Sequence, residues 1–305
     1  MVRIPTIELD ELYAKYELHP HLMDLYVEGE FDRDFINCFL QHRGLAATVS
    51  VITIDEIEIP KETLLENSLP LGSNKNSLIA LALLLQRRLS KLSTNVSCIV
   101  DTDQDRVLNK VMSVRHLLYT DYSSMEMYCL NDITLKKFIN LACNLSDDAL
   151  PRFGSLASTV LPTKFCLRAL NEKLSLMART PPFSSGLTDA RALPSFDQAR
   201  YISAFIGMNE LHQRSEEIRV AFAGLYRDLP TDLRDKSHGH DFVELLFEYA
   251  TKSGSFMLQD KNNAVPKYGG RLLASMIDVA QVFGEALFAK IEATLKARAF
   301  MWVAP

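Results

Sequence analysis

Five acidic residues stand where folding would gather them. Glu28 follows the apolar run 22–27 (LMDLYV), Asp101 and Asp103 follow 96–100 (VSCIV), and Asp121 follows 117–120 (LLYT), with Glu126 one helical turn later. If these runs are parallel strands, the acids lie beyond strand carboxyl ends, where open α/β sheets collect ligands. Asp101 and Asp103 are two apart, so an extended backbone would point them the same way. Carboxylates crowded in this way repel one another unless a cation sits between them. Mg²⁺ suits such a set, because it takes hard oxygen ligands and keeps waters for a phosphate substrate; Mn²⁺ is the alternative.

Each of these residues also has a plainer reading. An Asp after a strand serves as a turn residue or helix cap. Ser123-x-x-Glu126 matches a capping box, which weighs about equally with a functional Glu126. Asp105 trails the Asp-x-Asp pair and leaves open which two acids would bind metal. Asp32 and Asp34 fall in the first turn of a helix, where negative charge is favourable. Lys75, at the start of another helix, could touch a phosphate, but a solvated lysine is the commoner case. His238 and His240, like His19 and His21, lack further ligands at zinc spacing. His240 before Asp241 reads first as a helix-start residue and second as a substrate contact. The chain has no GxxxxGK[ST] loop, no G-x-S-x-G elbow and no Rossmann glycine fingerprint. Tyr26 and Tyr122 read as packing residues, which favours hydrolysis by water over a tyrosine nucleophile.

The elements that would position the acids can be read from periodicity. The run 22–27 is a strand. Phe31, Phe35, Ile36, Phe39 and Leu40 are spaced for a helix that Gly44 ends, and 47–54 (ATVSVITI) is rich in β-branched residues. A polar loop is expected over 60–76, followed by a helix (SLIALALLLQRRLSKL) capped by Asn76 or Ser77. Strands at 96–100 and 117–120 complete a β-α-β-α-β…β-α order, and a helix is expected from about Ser123. The order implies a largely parallel α/β sheet covered on both faces. Beyond it the strand signal fades. Helical patterns at 133–145, 163–178, 195–227, 239–251 and 269–300 predict an all-α region, with breakers at Thr180-Pro181-Pro182 and Gly269-Gly270. The expected division is 1–135 and 136–305.

Charge follows that division. Residues 1–135 hold 20 acids and 12 bases, whereas the rest hold 18 acids and 21 bases. The net charge of −5 argues against a protein that coats DNA along its length. Arg200, Arg214, Arg219 and Arg227 cluster late in the chain, as do Lys290, Lys296 and Arg298 beside Phe288, Phe300 and Trp302. These are candidate surfaces for a polyanion or a protein partner. Five scattered cysteines without a CxxC pair suit a reducing compartment. No segment is long and apolar enough to cross a bilayer, and the acidic start lacks a signal core, so a cytoplasmic protein is expected.

The runs Tyr26-Val27-Glu28-Gly29-Glu30 and Cys98-Ile99-Val100-Asp101-Thr102-Asp103 resemble the TOPRIM signature of topoisomerases, primases and OLD-family nucleases. There the glutamate and the Asp-x-Asp pair hold Mg²⁺ for phosphodiester chemistry. Tyr119-Thr120-Asp121-Tyr122-Ser123-Ser124-Met125-Glu126 and Gly239-His240-Asp241 resemble two further motifs of a bacterial TOPRIM-like nuclease group encoded beside ABC-type ATPases, the PARIS-type anti-phage nucleases among them. The likeness covers about 22–130, with His240 a later match. It implies a TOPRIM-like sheet with Glu28, Asp101 and Asp103 as catalytic metal ligands and Asp121 and Glu126 as further ligands. Asp32, Lys75, Asp105 and His240 would stand behind the ligands or touch substrate. It also implies an effector nuclease held by an ATPase subunit (AriA-like), then released as a homodimer that cuts host tRNA. An OLD-type DNA nuclease and a non-catalytic TOPRIM interaction module are the alternatives.

Overall fold

A computed structural model describes residues 6–89, 95–188, 195–254 and 264–299, and of 264–267 and 296–299 the backbone only. Phe300 and Trp302, and the side chains of Lys296 and Arg298, lie outside the described residues. In chain order the elements are α1 (Leu9–Leu18), β1 (Met23–Val27), α2 (Glu30–His42), β2 (Val49–Thr53), α3 (Lys61–Glu66), α4 (Asn74–Arg88), β3 (Asn95–Val100) and β4 (Leu117–Tyr119). There follow α5 (Asp132–Lys136), α6 (Ala149–Lys173), β5 (Leu187–Thr188), β6 (Ser195–Phe196), α7 (Gln198–Met208), α8 (Ser215–Arg227), α9 (Gly239–Lys252), α10 (Ala264–Ala274), α11 (Val279–Val282) and α12 (Ala286–Ala299).

The chain forms two compact units with interleaved segments. One comprises 1–102, 112–121 and 279–305; the other comprises 103–111 and 122–278. A single cut at 135/136 does not match this division, because the last helical segment belongs with the sheet.

In the first unit the four strands lie in the order β2-β1-β3-β4, all parallel. Parallel neighbours need long crossovers, and α2 and α3–α4 provide them. Central strands buried on both faces need nearly unbroken apolar runs, and every residue of β3 is buried. Tyr26, Val96, Cys98 and Val100 pack with Leu12 and Tyr16 of α1 and with Leu78, Leu81, Ala82 and Leu85 of α4. Asp24 is buried in the central strand. Lys15 Nζ (2.6 Å) and the Tyr16 hydroxyl (2.7 Å) both donate to its Oδ2, so the acid is paid for by α1. Phe35 and Phe39 of α2 form an aromatic cluster with Phe283 and Phe288, with centroids 5.1–6.1 Å apart.

Three local expectations differ from the structure. The segment 60–76 is not a plain loop: Pro60 precedes α3, and α4 already begins at Asn74. The cap of α4 is Ser73, whose side chain accepts from the Asn76 N–H, rather than Asn76 or Ser77. After β4 the backbone runs into a short 3₁₀ turn, Met125–Cys129, in place of a helix from Ser123.

The second unit is built on α6, whose Cys166, Leu167 and Leu170 share a core with Tyr201, Ile202 and Phe205 of α7 and Ile218 and Phe222 of α8. Among the described residues its regular elements are helical except for β5 and β6, an antiparallel pair of two residues each that an all-α expectation missed. Gly269-Gly270 lies inside α10 instead of breaking a helix. Gly269 is needed there by packing, since a Cβ would come 2.6 Å from Val243 Cγ1. Among the described residues no helix is long and apolar enough to cross a membrane.

Candidate functional site

In the first unit, β1 and β3 are paired parallel neighbours, so the residues that leave them emerge side by side. Glu28 follows β1 directly and Asp101 follows β3 directly. Glu28 Oε1 accepts from the Asp101 backbone N–H at 2.8 Å, which ties the two strand ends together. The Glu28 carbonyl accepts from Asn74 Nδ2 at 2.7 Å, at the start of α4. Glu28 and Asp101 are both half-buried. The sheet thus brings together the glutamate and the first aspartate of the sequence motif. The loop after β3 is locked to the end of β4: the Thr102 N–H donates to Thr120 Oγ1 (3.0 Å) and the Thr102 hydroxyl donates to the Thr120 carbonyl (2.6 Å).

Lys75 is the largest departure from expectation in this unit. It is buried, and its ammonium donates to the Thr102 carbonyl at 3.3 Å, in the peptide between Asp101 and Asp103. A solvated lysine was the commoner reading; the structure gives a cation turned into the motif loop. Asp32 has a local task, since its Oδ2 accepts from the Gly29 N–H at 3.1 Å and caps α2. Asp34 is exposed on the same helix. Asp121 Oδ2 accepts from the Leu287 N–H at 2.8 Å, so this acid anchors the amino end of α12. Tyr26 is fully buried with its hydroxyl 2.5 Å from that of Tyr16, and burial pushes its pKa up, so it packs as expected.

The second unit holds the other motif residues. Asp103 is not extended. Its φ of 45° puts it in the left-handed region, and its N–H donates to the Ser123 carbonyl at 2.6 Å. An αL residue reverses the chain, so the alternation that would align Asp103 with Asp101 does not operate. Asp105 follows, half-buried, with its carbonyl accepting from the Lys110 N–H at 2.7 Å. Ser123 does not form a capping box with Glu126; its hydroxyl donates to the Ser237 carbonyl. Glu126 is instead buried against the start of α9, where His240 Nδ1 lies 3.5 Å from Glu126 Oε1 and the His240 side chain is otherwise 77% exposed.

The three residues Gly239-His240-Asp241 separate into three physical roles. A Cβ on Gly239 would press into Glu126 Oε2 and Ser124 Oγ and come 2.7 Å from Glu126 Cδ, so any side chain here would force Glu126 and Ser124 to shift. Gly239→Ala is therefore expected to destabilise the fold by about 1–3 kcal/mol, read as a lower melting temperature. An unchanged melt would mean that Glu126 swings aside freely. His240 meets Glu126. Asp241 is buried and accepts from Lys164 (2.8 Å) and from both forks of Arg168 (3.0 and 2.9 Å).

His238 precedes this motif. Its Nε2 lies 3.9 Å from Asp103 Oδ1, and burial holds its pKa below the ordinary imidazole range. Sequence reasoning missed Lys164 and Arg168, and weighed His238 only as a metal ligand. For Lys164 a signal existed: a lysine in the apolar stretch VLPTKFCL, on a helix buried nearly all round.

Among the described residues no group of three or more His, Cys, Asp or Glu side chains stands ready to hold a metal ion. Glu28 and Asp101 place two carboxylates at adjacent strand ends, the class of oxygen donor that a hard cation takes. Mg²⁺ accepts such a sparse protein set because waters and substrate phosphate complete its shell. Comparison of the chain with protein-family models and with curated proteins gives no match.

Proposed function

We propose that this protein is a Mg²⁺-dependent phosphodiesterase of TOPRIM type, serving as the nuclease effector of an anti-phage system and cutting host tRNA when an ABC-type ATPase partner releases it. The observation that carries the reading is the bond from the Asp101 N–H to Glu28 Oε1, which holds the two motif acids side by side at the carboxyl edge of the sheet. A scaffold would gain nothing from placing two carboxylates there, whereas a cation site needs them. The motif resemblance to AriB-type nucleases supplies the substrate, the partner and the dimeric active form.

Glu28 and Asp101 are the residues whose geometry fits metal binding best; Asp103, Asp121 and Glu126 are proposed as ligands on the resemblance alone. When bound, Mg²⁺ would neutralise phosphate charge and lower the pKa of a water. Glu28 orients the loop through the Asp101 amide. Lys75 places positive charge beside the Thr102 carbonyl, which turns that oxygen and holds the motif peptide in one conformation. Lys75→Met keeps the aliphatic stem and removes the charge. It is expected to lower cleavage about ten- to hundredfold with little change in melting temperature.

The deciding experiment incubates purified protein with total tRNA and with plasmid, each with Mg²⁺ and with chelator. Discrete tRNA fragments formed only with Mg²⁺ support the proposal. Nicked plasmid with intact tRNA would replace it by a DNA nuclease. Inactivity on both, by protein freed of any partner, would replace it by a non-catalytic module.

A further inference from the structure

Within the second unit, α7 and α8 enclose an open groove of about 390 Å³. That is within the size range of small-ligand clefts. Ile202 and Phe222 give it an apolar floor, Tyr226 a second aromatic ring, and Arg219 and Arg227 its positive charge; Gln198 closes one side. No acid lines it. The rings of Phe222 and Tyr226 stack at 5.4 Å and 25°, which fixes Tyr226 in one orientation. Gln198 is likewise fixed, its Nε2 donating to Thr163 Oγ1 at 2.8 Å.

Three arginines of this region, Arg214, Arg219 and Arg227, divide by their partners. Arg214 is spent in a two-pronged pair with Glu217. Among the described residues Arg219 meets a neutral oxygen, Ser203 Oγ, at 2.9 Å, and no acid. Arg227 pairs with Asp228, but both are more than two-thirds exposed, so the pair is weak and an anion could displace it. The groove therefore offers flat apolar faces together with positive charge. An acidic peptide would satisfy the charge and leave the aromatic floor unused. A duplex would be too broad to enter. An unpaired nucleotide has both a flat face and a phosphate.

We propose that the α7–α8 groove binds an unpaired nucleotide of a nucleic-acid strand, with its base against the Tyr226 ring, which the buried Phe222 supports from beneath, and its phosphate on Arg219 and Arg227. The proposal deepens the phosphodiesterase reading and rests on it, by assigning that enzyme a holding site for single-stranded substrate.

The test uses the full chain carrying Glu28→Gln, in chelator, so that binding is read without cleavage. A short fluorescein-labelled oligouridylate is titrated by anisotropy at several salt concentrations. Unlabelled oligouridylate, a duplex of equal length and polyglutamate serve as competitors. Arg219→Gln with Arg227→Gln is expected to weaken binding about tenfold or more and to reduce the salt slope by about 1 to 2. Tyr226→Leu, which keeps apolar bulk, is expected to weaken it about tenfold with the slope unchanged. Thermal melts check that each variant folds.

Unchanged affinity in both folded variants would overturn the proposal. So would competition by polyglutamate equal to that of oligouridylate. The two readings fail separately. Wild-type protein that binds the oligonucleotide through the groove yet cleaves nothing with Mg²⁺ sinks the phosphodiesterase. Cleavage alongside binding that ignores the groove variants sinks only the groove.

Discussion

Glu28→Gln protein is expected to melt at the wild-type temperature and, on the proposed function, to lose Mg²⁺-dependent cleavage of tRNA by about a hundred- to a thousandfold. The substitution separates two tasks of one side chain. Glutamine keeps an oxygen that can accept from the Asp101 N–H, so the 2.8 Å bond joining the ends of β1 and β3 survives and the loop keeps its place. What disappears is the negative charge. If that charge helps hold a cation, transition-state stabilisation worth several kcal/mol goes with it. Glu28→Ala would be a poorer test, because it also releases the Asp101 loop. Cleavage at the wild-type rate by well-folded Glu28→Gln protein would remove Glu28 from the chemistry.

Asp241→Ala should give the largest loss of stability, about 3–5 kcal/mol. The carboxylate holds Lys164, whose side chain is only 7% exposed, at 2.8 Å, and Arg168 at 2.9 Å. Removal of the acid leaves a buried ammonium with only the longer contact to the half-exposed Glu244 carboxylate, 3.5 Å away, and breaking a buried pair in this way costs far more than the pair contributes net. Arg168, one-third exposed, can turn towards water; Lys164 cannot. The control is Lys164→Met with Asp241→Leu, which removes both buried charges and is expected to recover most of the loss. Urea melts of the three proteins decide the matter, and a deficit in the double variant as large as that of Asp241→Ala would refute the explanation.

The same pair predicts a pH dependence. Burial alone would raise the Asp241 pKa, but Lys164 and Arg168 outweigh it and hold the carboxyl below its ordinary range. A depressed folded pKa contributes stability that is fully present above the unfolded value, about 4. It is lost as pH falls through the folded value. The stability gap between wild type and Asp241→Ala should therefore be flat near neutrality and close in acid.

The sequence made some features legible and concealed others, for physical reasons. Strands were visible because buried parallel strands need nearly continuous apolar runs, as in VSCIV. Glu28 and Asp101 were placed correctly because their positions follow from where those runs stop. Lys75 was misjudged because the side of α4 that meets the sheet depends on packing, and the apolar residues of LIALALLL surround that helix too evenly to show a face. Asp103 was misjudged because its φ is set by a bond to the Ser123 carbonyl, twenty residues on, and not by local sequence. The ion pair between α6 and Asp241 spans 73 positions, and no periodicity reports contacts at that range. The division into units was hidden for the same reason: nothing near Phe283 and Phe288 announces that they pack with Phe35 and Phe39.

The interleaved units also constrain synthesis. Domains usually fold as they leave the ribosome, amino end first. Here the sheet emerges early, but the aromatic cluster on α2 and the anchor that Asp121 offers must wait for 279–299. A ribosome that stalls midway would carry a sheet whose Phe35 and Phe39 still lack Phe283 and Phe288, so this unit completes its packing only once 279–299 have been translated.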